Sequence, residues 1–352
     1  MNAEHYIEYG IFHKMKGGTC KKMKGKAWYK RICAVFMAFV MMLAMTACTG
    51  GTGADKASVD SVVDDCAARL LEITSEPVYG SIGGEWVVFG LARWGGEVPE
   101  EWYENYYEQL EAYIVSCNGV LDSRKYTEYS RVILALTAMG KDPTNVGGYN
   151  LLEPLADFEQ TIFQGLNGPL YALLALDSGD YEIPSNTAGT TQATRQMYVD
   201  YILSREVADG GWSLAGGTAE IDMTAMVLQA LAKYQDQNEV KEATERALTV
   251  LSQQQNDDGT YTSYDMESSE SIAQVIVALT ELGISIDDSR FVKNDITLEE
   301  SLLGFMTEDG QFRHIMEGEA DQMATEQAFY ALVSLARVEN GKTSVYDMSD
   351  LR

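Results

Sequence analysis

The 352-residue chain carries 53 acidic against 26 basic side chains, a formal net charge of −27. A surface of that sign repels nucleic acid and anionic lipid, which excludes DNA and RNA as partners. Its three histidines and five cysteines form no CxxC or HExxH arrangement, so no ordinary transition-metal site is encoded.

Residues 1–47 read as an export signal outside the fold. Lys21, Lys22, Lys24, Lys26, Lys30 and Arg31 form a basic stretch, and the 14 residues from Ile32 to Met45 are apolar. That run is shorter than the roughly 20 residues a membrane span needs. Met45-Thr46-Ala47-Cys48, followed by Thr49-Gly50-Gly51-Thr52-Gly53, resembles a bacterial lipobox, in which Cys48 is lipidated and becomes the mature N-terminus. The competing reading is an ordinary signal peptide beside a free cysteine. Met15 and Met23 are alternative starts to Met1. The segment holds 8 of the 26 basic and 2 of the 53 acidic residues, which leaves 18 against 51, a net of −33. Such a charge favours solubility outside the cell, or a cationic ligand. Residues 48–55 form a flexible tether. Cys66 and Cys117 remain in the body, and no spacing marks them as a disulfide framework.

Apolar helices are expected around Glu85–Leu91, Ser130–Leu136 and Gly168–Leu176, each stopped by a breaker: Gly95-Gly96, Gly140 with Pro143, and Gly179 with Pro184. Three stronger copies follow at a period of about 50 residues. Asp209-Gly210-Gly211-Trp212 leads into the helix around Asp222–Leu231, Asp258-Gly259-Thr260-Tyr261 into Glu270–Leu279, and Asp309-Gly310-Gln311-Phe312 into Glu326–Leu335. Amphipathic helices alternate with these around 56–74, 100–117, 150–163, 191–205, 238–255 and 296–306. All-apolar helices belong inside and one-sided helices outside. Six of each predict an all-α fold, an α/α toroid of six helical hairpins over residues 56–350, because such repeats bury their faces only against neighbours. The turn aromatics Trp212, Tyr261 and Phe312 read as staples between hairpins, with sugar stacking on Trp212 the weaker alternative.

The stretch Leu251-Ser252-Gln253-Gln254-Gln255-Asn256-Asp257-Asp258-Gly259-Thr260-Tyr261 is similar to the QW-type repeat of the terpenoid cyclase/prenyltransferase toroid superfamily, as is Leu203 through Trp212. Residues 55–350 resemble the toroid domain of exported bacterial prenyltransferase/squalene-oxidase-repeat proteins. Those resemble in turn the cobalamin-binding α-domain of intrinsic factor and transcobalamin. The resemblance implies fold more than function. Class II cyclases protonate their substrate with the middle Asp of a DxDDTA motif. Here Glu220-Ile221-Asp222-Met223-Thr224-Ala225 puts Asp222 on the acid but replaces its neighbours with Glu220 and Met223. The Asp/Cys/His zinc site of protein prenyltransferases and the GCGEQ of the thioester branch are absent. The cobalamin branch adds a β-rich domain for which the sequence shows no counterpart. No cofactor is therefore expected, and a cobalamin-like ligand follows only from the distant resemblance.

Counting back from the Ala-Leu step of each inner helix, the eighth position is Asn167, Asp222, Glu270 and Glu326 in the last four copies. The fourth position is Trp86, Arg131, Tyr171, Met226, Gln274 and Tyr330. Residues four apart share a helix face, so Trp86, Arg131, Asn167, Tyr171, Asp222, Glu270, Gln274, Glu326 and Tyr330 are expected to line a central pocket. The bland alternative has the three acids capping helix N-termini. His314, beside Arg313, reads as a surface residue.

Three functions compete. The first is a lipid-anchored, non-catalytic surface module that binds a small ligand, glycan or partner protein. The second is a cyclase-like enzyme with Asp222 as general acid, which requires a closed, aromatic-rich chamber that excludes water and stabilises carbocations. The third is a purely structural surface domain. The anchor is checked by mass spectrometry of the mature protein: diacylglycerol on Cys48 as residue one is expected, and an unmodified N-terminus removes the anchor.

Overall fold

The computed structural model describes residues 58–351 apart from Ala188 and Tyr264; the expected export signal, the tether and Cys48 lie outside the described residues. Within this span the inner helices are α2 (Trp86–Trp94), α4 (Thr127–Ala138), α6 (Asn167–Ser178), α8 (Ile221–Leu231), α10 (Ser269–Glu281) and α12 (Gln322–Glu339). The outer helices are α1 (Val59–Ile73), α3 (Glu100–Ser116), α5 (Phe158–Thr161), α7 (Arg195–Leu203), α9 (Asn238–Gln254) and α11 (Leu298–Leu303). The expected alternation of six inner and six outer helices is what is found. The third outer helix is the exception in length. Its expected span over 150–163 breaks into a 3₁₀ turn at Glu153–Ala156, the four-residue α5 and a second 3₁₀ turn at Ile162–Gln164. The extended Asp157, whose side chain accepts from the Gln160 amide, separates the first turn from α5, and Gly165 at φ 64° ends the last one.

The ring closes because each inner helix packs on the next, from α2 through α4, α6, α8 and α10 to α12, and α12 packs back on α2. The first outer helix seals the seam: α1 lies on α12, and Arg69 bridges to Asp309 at 3.0 Å. An all-apolar helix inside a ring has neighbours on every side, which is why α10 buries twelve of its residues, Ser269 through Thr280. Outer helices bury one stripe only, as α9 does with Val240, Ala243, Ala247 and Leu251.

Two ribbons occur, β1 (Thr262–Ser263) with β2 (Met266–Glu267) and β3 (Phe312–Arg313) with β4 (Ala320–Asp321). Both lie between an Asp-Gly turn and the inner helix that follows it. Those turns need glycine: Gly210, Gly259 and Gly310 all take φ between 82° and 91°. The aromatics that follow are staples. Trp212 is 0% exposed, its indole Nε1 donates to the Ile202 carbonyl at 2.8 Å, and its backbone amide donates to Thr224 Oγ1 at 3.0 Å. Full burial excludes sugar stacking on Trp212. Phe312 repeats the device through Thr325 Oγ1 at 2.9 Å.

The segment from Thr343 to Leu351 crosses the carboxyl ends of the inner helices. Arg93, near the end of α2, donates to the carbonyls of Ser344, Val345 and Asp347, and both Arg93 (3.0 Å) and Arg337 (2.6 Å) hold the Asp350 carboxylate. Burial pushes the Asp350 carboxyl up, but the two guanidiniums win and hold it below the usual carboxylate range. Cys66 and Cys117 are free, with the buried Cys66 thiol pushed up to about 12 by burial and by Asp65. Among the described residues no helix is long and apolar enough to cross a membrane.

Trp212→Ala empties a fully packed site and removes a buried hydrogen bond. Urea unfolding is expected to show a loss of about 3–5 kcal/mol; a loss under about 1 kcal/mol contradicts the staple.

Candidate functional site: the acidic mouth and the filled axis

The amino-terminal ends of the inner helices gather the acids. Asp222 stands in the first turn of α8 and Glu270 in the first turn of α10, and the two act on each other electrostatically. Glu270 is buried, and both its carboxylate oxygens lie 2.9 Å from His314 Nδ1. His314 is carried there by the bend that follows β3, and its side chain is 43% exposed. The Glu270 carboxylate is the main reason the His314 pKa rises above its ordinary value, with Asp321 and Asp222 adding to it against partial burial. His314 therefore closes the mouth half-exposed against the Glu270 carboxylate, rather than standing alone at the surface. Sequence spacing missed it because the partner sits 44 residues away.

Asp222 is held differently. Burial pushes its carboxyl up, Ser271 and His314 pull it down, and Glu270 and Glu220 add to the rise. Its Oδ1 is sealed from solvent and has no hydrogen-bond partner. A buried acceptor without a partner costs about 1–3 kcal/mol, and protonation or a donor from a ligand relieves that cost. The neighbour that matched the cyclase motif, Thr224, is committed elsewhere, since its hydroxyl exchanges hydrogen bonds with the Trp212 backbone.

Glu326 joins a second group on the same mouth. It is 2% exposed and accepts from the Gly83 amide at 2.8 Å, and burial pushes its carboxyl up to about 8. Glu85, fully buried at the entry to α2, accepts from the Gly80 amide, from Tyr106 OH at 2.8 Å and from Arg131 Nε at 2.7 Å. Arg131 also holds Glu128 at 2.6 Å, and the two carboxylates raise its already high pKa against burial. Arg131 was expected to face a ligand; its guanidinium is instead spent locking the loop Gly80–Glu85 to the ring. Glu85 is the residue that the spacing argument missed, because it precedes the helix whose face was counted.

The acids are not caps. Ser268 accepts from the Ser271 amide as the cap of α10, Asp321 caps α12 through the Ala324 amide, and Glu326 lies a full turn inside that helix. For α8 no side chain caps the end at Glu220. Asp222 and Glu270 still gain from the helix dipole in the first turn, but capping does not account for their positions. Asn167 opens α6 in the corresponding place.

Below the mouth the second row meets on the axis. Trp86 lies 6.0 Å from Tyr171 and 5.9 Å from Tyr330, centroid to centroid. Tyr171 OH donates to Met226 Sδ at 3.4 Å, and Gln274 Nε2 donates to Tyr330 OH and to Gln327 Oε1. Gln229 completes the layer by donating to Gln274 Oε1 at 2.9 Å. From the other end Tyr346 stacks on Phe89 at 5.2 Å. Tyr171, Met226, Gln274 and Tyr330 are each at most 8% exposed. A water-filled chamber beside them would expose them, so the axis is packed. Among the described residues no group of three His, Cys, Asp or Glu side chains is placed to hold a metal.

No protein-family model matches the chain, and no curated protein does. Solved structures do match. Unsaturated glucuronyl hydrolase from Bacillus sp. GL1, described as responsible for the degradation of glycosaminoglycan, superposes with a TM-score of 0.52 at 13% identity, over 82% of this chain and 97% of that one. Candida albicans protein geranylgeranyltransferase-I complexed with GGPP gives a TM-score of 0.50 at 12% identity, over 79% and 92%. A type II terpene cyclase from Scytonema matches more loosely, with a TM-score of 0.47 at 14% identity over 79% and 97%. At such identities the likeness is one of fold: this chain is an α/α toroid of the architecture shared by the glucuronyl hydrolase and the prenyltransferase.

Because the Glu326 carboxyl titrates near 8 when folded and near 4.3 when unfolded, the native state holds an extra proton between those values. That contribution to stability is complete below about pH 4 and is lost as pH rises through 8. Glu326→Gln is therefore expected to flatten the fall in unfolding free energy between pH 5 and pH 9, measured by urea titration. Parallel curves for the two proteins contradict the assignment.

Proposed function

We propose that the toroid is a surface-held binding module, anchored through a lipid on Cys48, that takes a small hydroxyl-rich or cationic ligand at its acidic mouth. The observation that carries this reading is the unpartnered, sealed Oδ1 of Asp222 beside the Glu270–His314 pair. The packed axis argues for recognition at the rim, since Trp86, Tyr171, Met226 and Tyr330 occupy the volume a long apolar chain would need. The excess of acidic side chains favours a positively charged or neutral partner over an anionic one.

A second reading takes Asp222 as a proton donor, because burial keeps its carboxyl protonated to higher pH than an exposed aspartate. Its substrate would have to reach the carboxyl from the mouth. Turnover lost in Asp222→Asn but retained in Glu326→Gln would favour catalysis over binding.

The binding reading is tested by a thermal-shift screen of neutral sugars, polyols and small amines against residues 55–352. A ligand present at 100 Kd raises stability by about 2.7 kcal/mol. Asp222→Asn and Glu270→Gln are expected to abolish any shift found. Shifts unchanged in both variants overturn the acidic-mouth assignment.

A further inference from the structure

The opposite end of the ring holds a cavity of about 140 Å³, lined among others by Leu174, Asp177, Gln229, Lys233, Glu281 and Tyr346. It lies between the carboxyl ends of the inner helices and the Thr343–Leu351 segment, and it shares no lining residue with the acidic mouth. Engineered apolar cavities of about 150 Å³ take up benzene, so a ligand of around six heavy atoms fits.

The charges around it are unequally satisfied. Asp177 is compensated: Arg195 Nε reaches its carboxylate at 2.6 Å, Tyr234 OH at 2.7 Å, and Lys233 Nζ donates to its backbone carbonyl at 2.6 Å. Glu281 is not. Among the described residues its hydrogen bonds come only from neutral groups, Ser344 Oγ at 2.7 Å and the Tyr346 amide at 3.1 Å. Asp347 adds a second negative charge to the lining, and Arg93, the nearby cation, is occupied by Asp350 and three carbonyls. Gln229, whose amide nitrogen is spent on Gln274, presents a further acceptor oxygen on a lining residue. The lining thus carries three carboxylates, Asp177, Glu281 and Asp347, against one cation, Lys233, whose ammonium is directed to the Asp177 carbonyl and makes no contact with Glu281.

We infer that this cavity is a second binding site, for a small primary ammonium compound whose cation pairs with Glu281. A cation here offsets the cost of a partly buried carboxylate that has only neutral hydrogen-bond donors. Burial, with Asp347 adding to it, pushes the Glu281 carboxyl up to about 7, while Ser344, the Tyr346 amide and Arg93 oppose the rise. Binding requires the ionised form, so affinity rises with pH through that value. Binding below it releases a proton to the buffer.

Isothermal titration with n-butylammonium, n-butanol and butyrate tests the site. Butylammonium is expected to bind one-to-one, about tenfold more weakly at pH 6 than at pH 8, as the ionised fraction of Glu281 falls. Below pH 7 the apparent heat is expected to depend on the ionisation enthalpy of the buffer. Glu281→Gln, which keeps a hydrogen-bond acceptor for Ser344, is expected to lose the binding and its pH dependence while melting as a folded protein. Equal binding of n-butanol, pH-independent binding of butylammonium by the unsubstituted protein, or no binding at pH 8 overturns the inference. The pH series decides the matter even if Glu281→Gln fails to fold.

Discussion

Six helices in a closed ring leave an axial space that backbone atoms do not reach, and everything distinctive about this protein follows from how that space is filled. Helix packing distances are set by side chains, and interiors tolerate few voids. A ring of six therefore either keeps an open chamber or packs large residues from several helices into one column. Here Trp86, Tyr171, Met226, Gln274 and Tyr330 meet on the axis, with Phe89 and Tyr346 below them. The column ties α2, α6, α8, α10 and α12 together through the centre, while their flanks tie each to its neighbour.

Filling the axis divides the molecule into two ends of opposite character. At the amino-terminal end, acids lie where the positive ends of the helix dipoles favour them, with Arg131 paired to Glu85 and His314 set against Glu270. At the carboxyl end, Arg93 and Arg337 occupy the last turns of α2 and α12, where cations are favoured, and bind the Thr343–Leu351 segment across the opening. Asp177 and Glu281 stand there as carboxylates at the unfavourable ends of α6 and α10; Arg195 compensates Asp177, whereas Glu281 is held by neutral donors.

Much of this was legible in the sequence. The Asp-Gly-aromatic turns carry their own geometry, since glycine permits the positive φ and the aromatic needs a buried seat, so the hairpin count and the closed ring could be read directly. The inward row was legible too, because residues four apart share a helix face whatever the tertiary context, and all but Arg131 of the second row reach the axis. What escaped depends on contacts distant in sequence. His314 reaches Glu270, and Glu85 draws Arg131 out of the axis, through loops whose paths no periodicity encodes. The split around α5 follows local chemistry, the extended capping Asp157 and the positive-φ Gly165, but a helical period read across 150–163 hides it. The lipidation of Cys48 and the tether rest on the sequence pattern alone.

The central claim is that the axis is solid and that recognition belongs to the ends of the ring. Its most direct measurement is the binding of an apolar, polyprenyl-sized probe such as farnesol to residues 55–352, followed by isothermal titration. The account predicts no saturable uptake, because taking up the chain would require expelling the column of Trp86, Tyr171, Met226 and Tyr330. Saturable one-to-one binding with micromolar affinity, weakened by Tyr171→Trp in the column, would contradict it and restore an interior chamber.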